Sequence, residues 1–505
     1  MDNSNFLKKI AYGMMILVLL SLIPILLISP FVYPFSDDFT FATYSRMAVT
    51  NSTSLPQMIG TLLHHAIINT YDSYVEWQGT FTTTFLMAFC PAIFGYRYYH
   101  LVPVIIIAIY CLALFYFLYV IICRIAHAPR YVAVFIFALT SLFTIQNSPD
   151  PMQAFNWFSS AVPYTVGNAI WLFFFARQLT IALHSFEGRQ ISFPKQQLPL
   201  CVLAFLTGGI NHITIVWAFM ILVTMWIVLF LLKTPRTTIN VLIPSSLFLL
   251  VGLAANVLCP GSRLRMDASG GTANGFLATI LKSFRAGAIM SIRWADPTII
   301  LYVVLLIPFI LVLLEHFCRH SHFHFPLPGL FCIYAYCLFS GLFAPLIYVS
   351  DRYDTRRPHT ASHPLYLLLL LLCTVYVAGY IRTHYRQSIW VERLSSVIRA
   401  PMKYYMFSLA ATLLVCLFMT VQKPTRFFSM SCLVSLLNGN AKEFGEIMEY
   451  NFRQLEDPSV RNVQVRHVPL NSSALTSDEV ADWKDGAVLF YQKESVYYVD
   501  GAPMP

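Results

Sequence analysis

The apolar positions of this chain come in unbroken blocks, without the alternation of a half-buried strand or the spaced stripe of a surface helix. "MMILVLLSLIPILLI", "VPVIIIAIYCLALFYFLYVII" and "PLYLLLLLLCTVYVAGY" are each close to the roughly 20 residues that cross about 30 Å of hydrocarbon as a helix. Blocks of this kind predict about eleven spans, at 10–30, 101–122, 131–147, 164–183, 197–210, 213–232, 238–258, 298–316, 328–349, 363–381 and 402–421. One further block, "TFTTTFLMAFCPAIFGYRYY" (80–99), is broken by Pro91 and Gly95. It is too short to span, so it predicts a helix lying in or dipping into the interface. It falls within a long first external loop, 34–100. The first block follows Lys8 and Lys9 as a signal peptide would, but no small-x-small cleavage site follows it, which predicts a retained helix.

After residue 421 the pattern changes. "GNAKEFGEIMEYNFRQLED" has a helical period, whereas "VRNVQVRHVPL" and "GAVLFYQKESVYYVDG" look like strands. The expected fold is an all-α polytopic membrane domain over 1–421, followed by a small C-terminal α/β domain over 422–505.

Composition agrees: 57% of residues are hydrophobic and 11% charged, where soluble domains carry about 25% charged residues. The net charge of +9 is dispersed among loops, which excludes a nucleic-acid surface. With the N-terminus in the cytoplasm, the cytoplasmic connections hold Arg124 and Arg130, Arg189 and Lys195, Lys233 and Arg236, Arg319, and finally Arg382, Arg386, Arg393, Arg399 and Lys403. Each is basic, as the positive-inside bias requires. This predicts a multi-pass protein of the cell (inner or plasma) membrane, with its C-terminal unit outside. The eleven cysteines fall mostly within apolar blocks and show no CxxC or Cys/His metal spacing, so they read as core filler.

The chemistry-bearing residues then collect on the external face. Asp37 and Asp38 stand where the first block ends. They suit a helix N-terminus, and equally a general base or metal ligand beside a membrane cavity. Trp77 ("EWQGTF"), Trp157 ("NWFSS") and Tyr164 are interfacial aromatics by position. Asn211 and His212, in "GGINH", make a polar hairpin that is costly in hydrocarbon unless it caps a helix or lines a wet cavity. Arg263, Arg265, Arg352, Arg356 and Arg357 lie on the side where arginine is disfavoured. Bulk lipid phosphate, pairing with Asp351 and Asp354, or a bound lipid phosphate would each compensate them, and the planar fork of arginine suits the last.

The order of these features resembles the C-type fold of integral-membrane glycosyltransferases (GT-C), and in particular a bacterial group of GtrII-like multi-pass proteins. The matching residues are Ser36-Asp37-Asp38 for an acidic pair after the first helix, and Trp77-Gln78-Gly79 for a W-x-G motif. "NWFSSAVPY" matches an aromatic external loop, and Asn211-His212 a polar hairpin. Pro260-Gly261-Ser262-Arg263 matches a PG-x-x-R loop, and the stretch from Arg352 to Arg357 a late external arginine. The resemblance spans residues 1 to about 380. It departs at Thr80, where the family has arginine, and at His212, where it has an acid.

The resemblance implies transfer of a sugar from a polyprenyl-phosphate carrier to a glycan or lipid acceptor of the cell envelope. Asp37 would be the base. Asp38 would orient it or hold a divalent metal such as Mg or Mn. Arg263 with Arg356 or Arg357 would neutralise the leaving phosphate, and Trp77 and Trp157 would stack on sugar faces. Tyr164, Asn211, His212 and Arg352 would complete the substrate-binding set. A transporter or flippase of a lipid-linked or anionic solute is the alternative. Against it stand the absence of an evident internal repeat and the gathering of charge at one face. A third reading is a scaffold whose C-terminal domain is the working part.

Overall fold

The computed structural model describes residues 3–268, 274–385, 401–469, 472–476 and 484–499. The first long helix, α1 (Asn3–Ile28), is followed by α2 (Asp37–Asn51), α3 (Leu55–Glu76) and the short α4 (Phe81–Met87). The middle of the chain forms α5 (Val102–Tyr119), α6 (Arg130–Gln146), α7 (Phe158–Ala161), α8 (Gly167–Phe186), α9 (Leu198–Gly208), α10 (His212–Leu231), α11 (Arg236–Val257) and α12 (Pro260–Ala268). Then come α13 (Phe276–Trp294), α14 (Pro297–His320), α15 (Pro328–Gly341), α16 (Ala344–Ser350), α17 (Arg356–His384) and α18 (Pro401–Gln422). The C-terminal unit holds α19 (Phe428–Leu437), α20 (Asn440–Glu456), β1 (Asn462–Val465), α21 (Lys484–Phe490) and β2 (Ser495–Tyr498).

Nine helical segments among the described residues are long and apolar enough to cross a membrane, which makes the chain a helical polytopic membrane protein. Eleven spans were expected, and the difference lies in 131–147 and 197–210. There α6 has 17 residues and α9 has 11, about 26 Å and 17 Å at 1.5 Å per residue. Both are packed between longer neighbours: α6 against α1, α5 and α14, and α9 against α8 and α11. The block at 80–99 does not form a long helix. It breaks at Pro91 into 3-10 turns over Pro91–Phe94 and Tyr96–Leu101. Its threonine row is inside the protein, where Thr82 donates its amide to Gly209 O (3.0 Å) and its hydroxyl to Leu206 O (2.7 Å).

Two ends of the bundle can be told apart by their cross-links. At one end the basic connections meet: Arg124 pairs with Glu187 at 3.7 Å, Ser185 and Thr238 share a hydrogen bond, and Thr383 donates to His324 O. At the other end Arg357 meets Asp37, Arg265 meets Gln78, Arg293 meets Asp354, and Arg426 meets Asp296. Arg386, Arg393 and Arg399 lie outside the described residues.

The C-terminal unit was expected to be a small α/β domain. Its strands are only four residues each, paired in parallel from Asn462↔Ser495 to Val465↔Tyr498. "GAVLF" forms part of α21 where a strand was expected. So small a sheet cannot enclose a core, and the unit shares one with the segment between α1 and α5. Tyr33, Phe35, Phe39 and Tyr96 pack with Phe444, Phe452, Phe490 and Val496 in a single cluster. Tyr33, Tyr96 and Phe452, for example, form a triad of near-parallel rings with centroids 5.4–5.9 Å apart. Polar clamps reinforce this seam, with the Tyr96 amide donating to Glu456 (3.0 Å) and its hydroxyl to Glu449 (3.1 Å).

Candidate functional site

The two adjacent aspartates have opposite surroundings. Ser36, at the turn into α2, has a left-handed backbone angle (φ 36°), and Asp37 and Asp38 form the first helical turn. Asp38 is wholly buried. Its Oδ2 accepts from the Phe35 amide (3.0 Å) and the Tyr99 hydroxyl (2.6 Å). Its Oδ1 accepts from the Ser159 amide (2.8 Å) and the Ser159 hydroxyl (2.6 Å). Burial pushes its carboxyl up to about 6, and the hydrogen bonds from Ser159, Tyr99 and Phe35 oppose that rise. Asp38 thus fastens the end of the first helix to the 157–161 segment, and Tyr99 carries the link on by accepting from the Phe158 amide (2.8 Å).

Asp37 keeps 39% of its side chain exposed, and its Oδ2 accepts from Arg357 Nη2 at 3.4 Å. These residues are 320 positions apart. Arg357, in the first turn of α17, also donates Nε to Ser160 Oγ (3.2 Å) and Nη2 to Ser159 O (3.2 Å). Its guanidinium lies 4.5 Å from the Trp157 ring centroid, a cation–π contact. "NWFSS" therefore has a use for each residue. Asn156 donates to Ala474 O in the C-terminal unit (2.6 Å), Trp157 underlies Arg357, Phe158 binds Tyr99, Ser159 binds Asp38, and Ser160 binds Arg357. Trp157 was expected to stack on a sugar; it is only 2% exposed, so its ring orients Arg357 instead.

A second arginine lies within electrostatic reach of this pair. Arg265, on α12, lies 4.7 Å from the Trp77 ring centroid and donates Nη1 to Gln78 Oε1 (2.6 Å). It is solvent-accessible yet ringed by protein, within electrostatic reach of Tyr164, Arg357 and Asp37. The expected residue was Arg263. Positions two apart on a helix point to nearly opposite sides; Arg263 is exposed with no recorded partner among the described residues, and Arg265 is the one at the site. The W-x-G and PG-x-x-R segments interlock. A Cβ on Gly79 would lie 1.9 Å from Asn256 O, and one on Gly261 would lie 2.3 Å from the Trp77 amide nitrogen. Only glycine permits such approach of two backbones.

The remaining expected residues divide. His212 faces Arg265 and Asn256 from the start of α10 and keeps part of its surface accessible. Tyr164 is half-buried beside Arg265. Asn211 was expected to bind substrate; it caps α10, accepting from the Ile213 and Thr214 amides (3.0 Å each), and donates to Pro163 O (2.5 Å). That leaves it no evident capacity for a ligand. Arg352 and Arg356 are exposed, and neither contacts Asp37. Tyr99, Ser159, Ser160 and Gln78 were given no role from sequence, and Arg265 was singled out only as one of five external arginines, by its charge.

A divalent metal does not fit Asp38, because both of its oxygens are already taken by hydrogen-bond donors. Asp37 has a guanidinium for its nearest charged neighbour, and no cluster of three metal-ligating side chains occurs among the described residues. Compared with protein-family models, curated proteins and solved structures, the chain matches none.

Proposed function

We propose that this protein transfers a sugar from a polyprenyl-phosphate-linked donor to a cell-envelope acceptor on the extracytoplasmic face. The supporting observation is the accessible Asp37 carboxylate held 3.4 Å from Arg357, with a second guanidinium, Arg265, within electrostatic reach of both. A transfer of this kind needs a group to take a proton and cations to receive a leaving phosphate. The acceptor hydroxyl attacks the anomeric carbon as its proton passes to Asp37. The bond from that carbon to the phosphate oxygen breaks, and the charge left on the lipid phosphate falls to Arg265 and to Arg357 Nη1. That nitrogen bonds nothing among the described residues. Trp77, 45% exposed, and Tyr164 border the space a sugar would occupy. Asp38 is a positioning residue in this scheme.

In this reading α6 and α9 count as short spans, giving eleven. The N-terminus and the basic connections are cytoplasmic, and the Asp37 end, with the C-terminal unit, is outside. The test is mass spectrometry of cell-envelope glycans with and without the protein. Loss of one defined sugar substituent supports the reading. Unchanged glycans, with a lipid-linked solute held on one side of the membrane, would move the assignment to a transporter or flippase.

A further inference from the structure

A second concave surface opens where the segment between α1 and α5 meets the C-terminal unit. It is a groove of about 440 Å³, with Phe94, Arg97 and Tyr98 on one wall and Arg453, Glu456 and Asp457 on the other. Small-ligand sites occupy roughly 300–1,000 Å³. None of these residues has a part in the transfer step at Asp37. The first wall nevertheless belongs to the turn that holds Asp38. Within Tyr96–Leu101 the Tyr99 hydroxyl is buried against Asp38 (2.6 Å), while Arg97 and Tyr98 are exposed. Gly95 makes the preceding bend with φ 129°, a region that favours glycine. The Phe94 and Tyr98 rings that flank it stay 47% and 56% exposed and meet edge-to-face at 6.2 Å.

We propose that this groove binds an uncharged glycan, the acceptor chain of the transfer reaction. Three observations carry this. The first is the pair of rings. A sugar has an apolar C–H face with a rim of hydroxyls, and an aromatic wall beside polar groups matches both parts. The second is spare hydrogen-bonding capacity. Arg97 and Arg453 both donate to Glu449 Oε1, at 3.2 and 2.9 Å, which fixes their planes. Glu456 Oε1 accepts from the Tyr96 amide, and Asp457 Oδ1 from the Ser459 amide and hydroxyl. Arg97 Nη1, Glu456 Oε2 and Asp457 Oδ2 bond nothing among the described residues. A donor and acceptors thus share one groove, and each sugar hydroxyl both donates and accepts.

The third is charge. Two guanidinium and two carboxylate groups line the groove, so a phosphate or an acidic sugar brought to the arginines meets Glu456 and Asp457. Nor does the groove suit hydrocarbon. Its second wall is the end of α20, which exposes Lys442, Glu446 and Arg453 and therefore stands in water. The groove is a docking place and Asp37 the place of reaction, with the Tyr96–Leu101 turn common to both. The acceptor role of the glycan rests on the transfer reading, but its binding needs neither donor nor turnover. A failed binding test would therefore strike the groove alone, and the Asp37→Asn variant tests the transfer reading separately.

The experiment is saturation-transfer NMR of the full-length protein in detergent micelles, without lipid donor. The probes are uncharged pentasaccharides of glucose, mannose, galactose and N-acetylglucosamine, with pentagalacturonate as the charged comparison. Saturable binding of at least one uncharged probe is expected, with pentagalacturonate weaker by about tenfold or more through like-charge repulsion. Phe94→Ala and Tyr98→Ala should each weaken binding by about tenfold, the scale for truncating an anchor. Tyr98→Phe keeps the ring and should retain most of the affinity. Tyr497→Ala, which removes an exposed ring on β2, should leave binding unchanged. Both groove rings are exposed, so thermal unfolding of their variants should match the parent. In lipid nanodiscs the same probe should bind as it does in micelles, and loss of binding there would place the rings in the bilayer and overturn the assignment. So would the absence of binding by every uncharged probe, or binding that survives combined loss of Phe94 and Tyr98.

Discussion

Two arginines lie on tryptophans at the same end of this molecule, and their surroundings differ in what they allow. Arg357 rests 4.5 Å from Trp157 and is tied to Ser159, Ser160 and Asp37. The segment that holds it is pinned to the buried Asp38 through Ser159. Arg265 rests 4.7 Å from the accessible Trp77 and is tied to Gln78. The first corner is a fixed frame whose parts cannot move separately. The second is open to solvent and set on a short helix. Preorganised charge belongs where bonds change, and an accessible cation belongs where a ligand arrives and leaves.

The largest effect expected from breaking this contrast is in the frame. Asp38→Ala leaves the Ser159 and Phe35 amides and the Tyr99 hydroxyl without their acceptor. It should destabilise the protein by about 3–5 kcal/mol, since each buried donor left without its acceptor costs about 1–3 kcal/mol. Chemical denaturation in mixed micelles measures this. Asp37→Ala should leave the midpoint nearly unchanged, and equal losses from both would erase the distinction between the neighbours.

Arg357→Ala comes next. It uncovers Trp157 and leaves Ser159 O without a donor, for an expected loss of about 1–3 kcal/mol. Arg357→Lys should recover little of it, because a point charge cannot reach Ser159 O, Ser160 Oγ and Asp37 together. Arg265→Ala should change stability by no more than about 0.5 kcal/mol, as accessible positions do. Yet it should weaken binding of polyprenyl monophosphate about tenfold or more, the scale of one charge-assisted hydrogen bond. Binding by fluorescence quenching, set beside unfolding curves, reads both. An Arg265→Ala protein that unfolds easily while binding the lipid normally would invert the comparison.

A further effect is in pH. The Asp38 carboxyl titrates at about 6 in the folded protein, above its ordinary value of 3.8. A group whose folded value is raised favours the folded state below its unfolded value and loses that contribution as pH rises through the folded value. Asp38 should therefore add roughly 1–2 kcal/mol of stability as pH falls from about 7 to 5. Asp38→Asn lacks this dependence. The difference in midpoint between parent and variant across that range isolates it from the other carboxylates.

How much was legible in sequence follows the same contrast. Apolar blocks announce helices because hydrocarbon demands length and apolarity, and α1, α10 and α14 lie close to where the blocks placed them. The pairing of Asp37 with Arg357 was foreseeable only as shared sidedness, since a separation of 320 positions leaves no local pattern. The choice of Arg265 over Arg263 depends on the rotation of α12, which is set by Gly261 lying against Trp77. The burial of Trp157 and the capping by Asn211 are packing outcomes, because the same residues at a loop tip could have met a ligand. The core that the C-terminal unit shares with the 31–100 segment was not legible, because strand-like alternation near 462–465 and 495–498 says nothing of what covers it.

The central claim is that Asp37 does chemistry while Asp38 holds the frame. Asn keeps the shape of Asp37 and caps a helix start about as well, so Asp37→Asn tests the charge alone. The direct measurement is mass spectrometry of envelope glycans from cells whose only copy is Asp37→Asn, with protein abundance measured in the same membranes. The account predicts normal abundance and a transfer rate lower by roughly 10²–10⁴, the scale for loss of a general base. A variant present at parental level that decorates the envelope at the parental rate would contradict it.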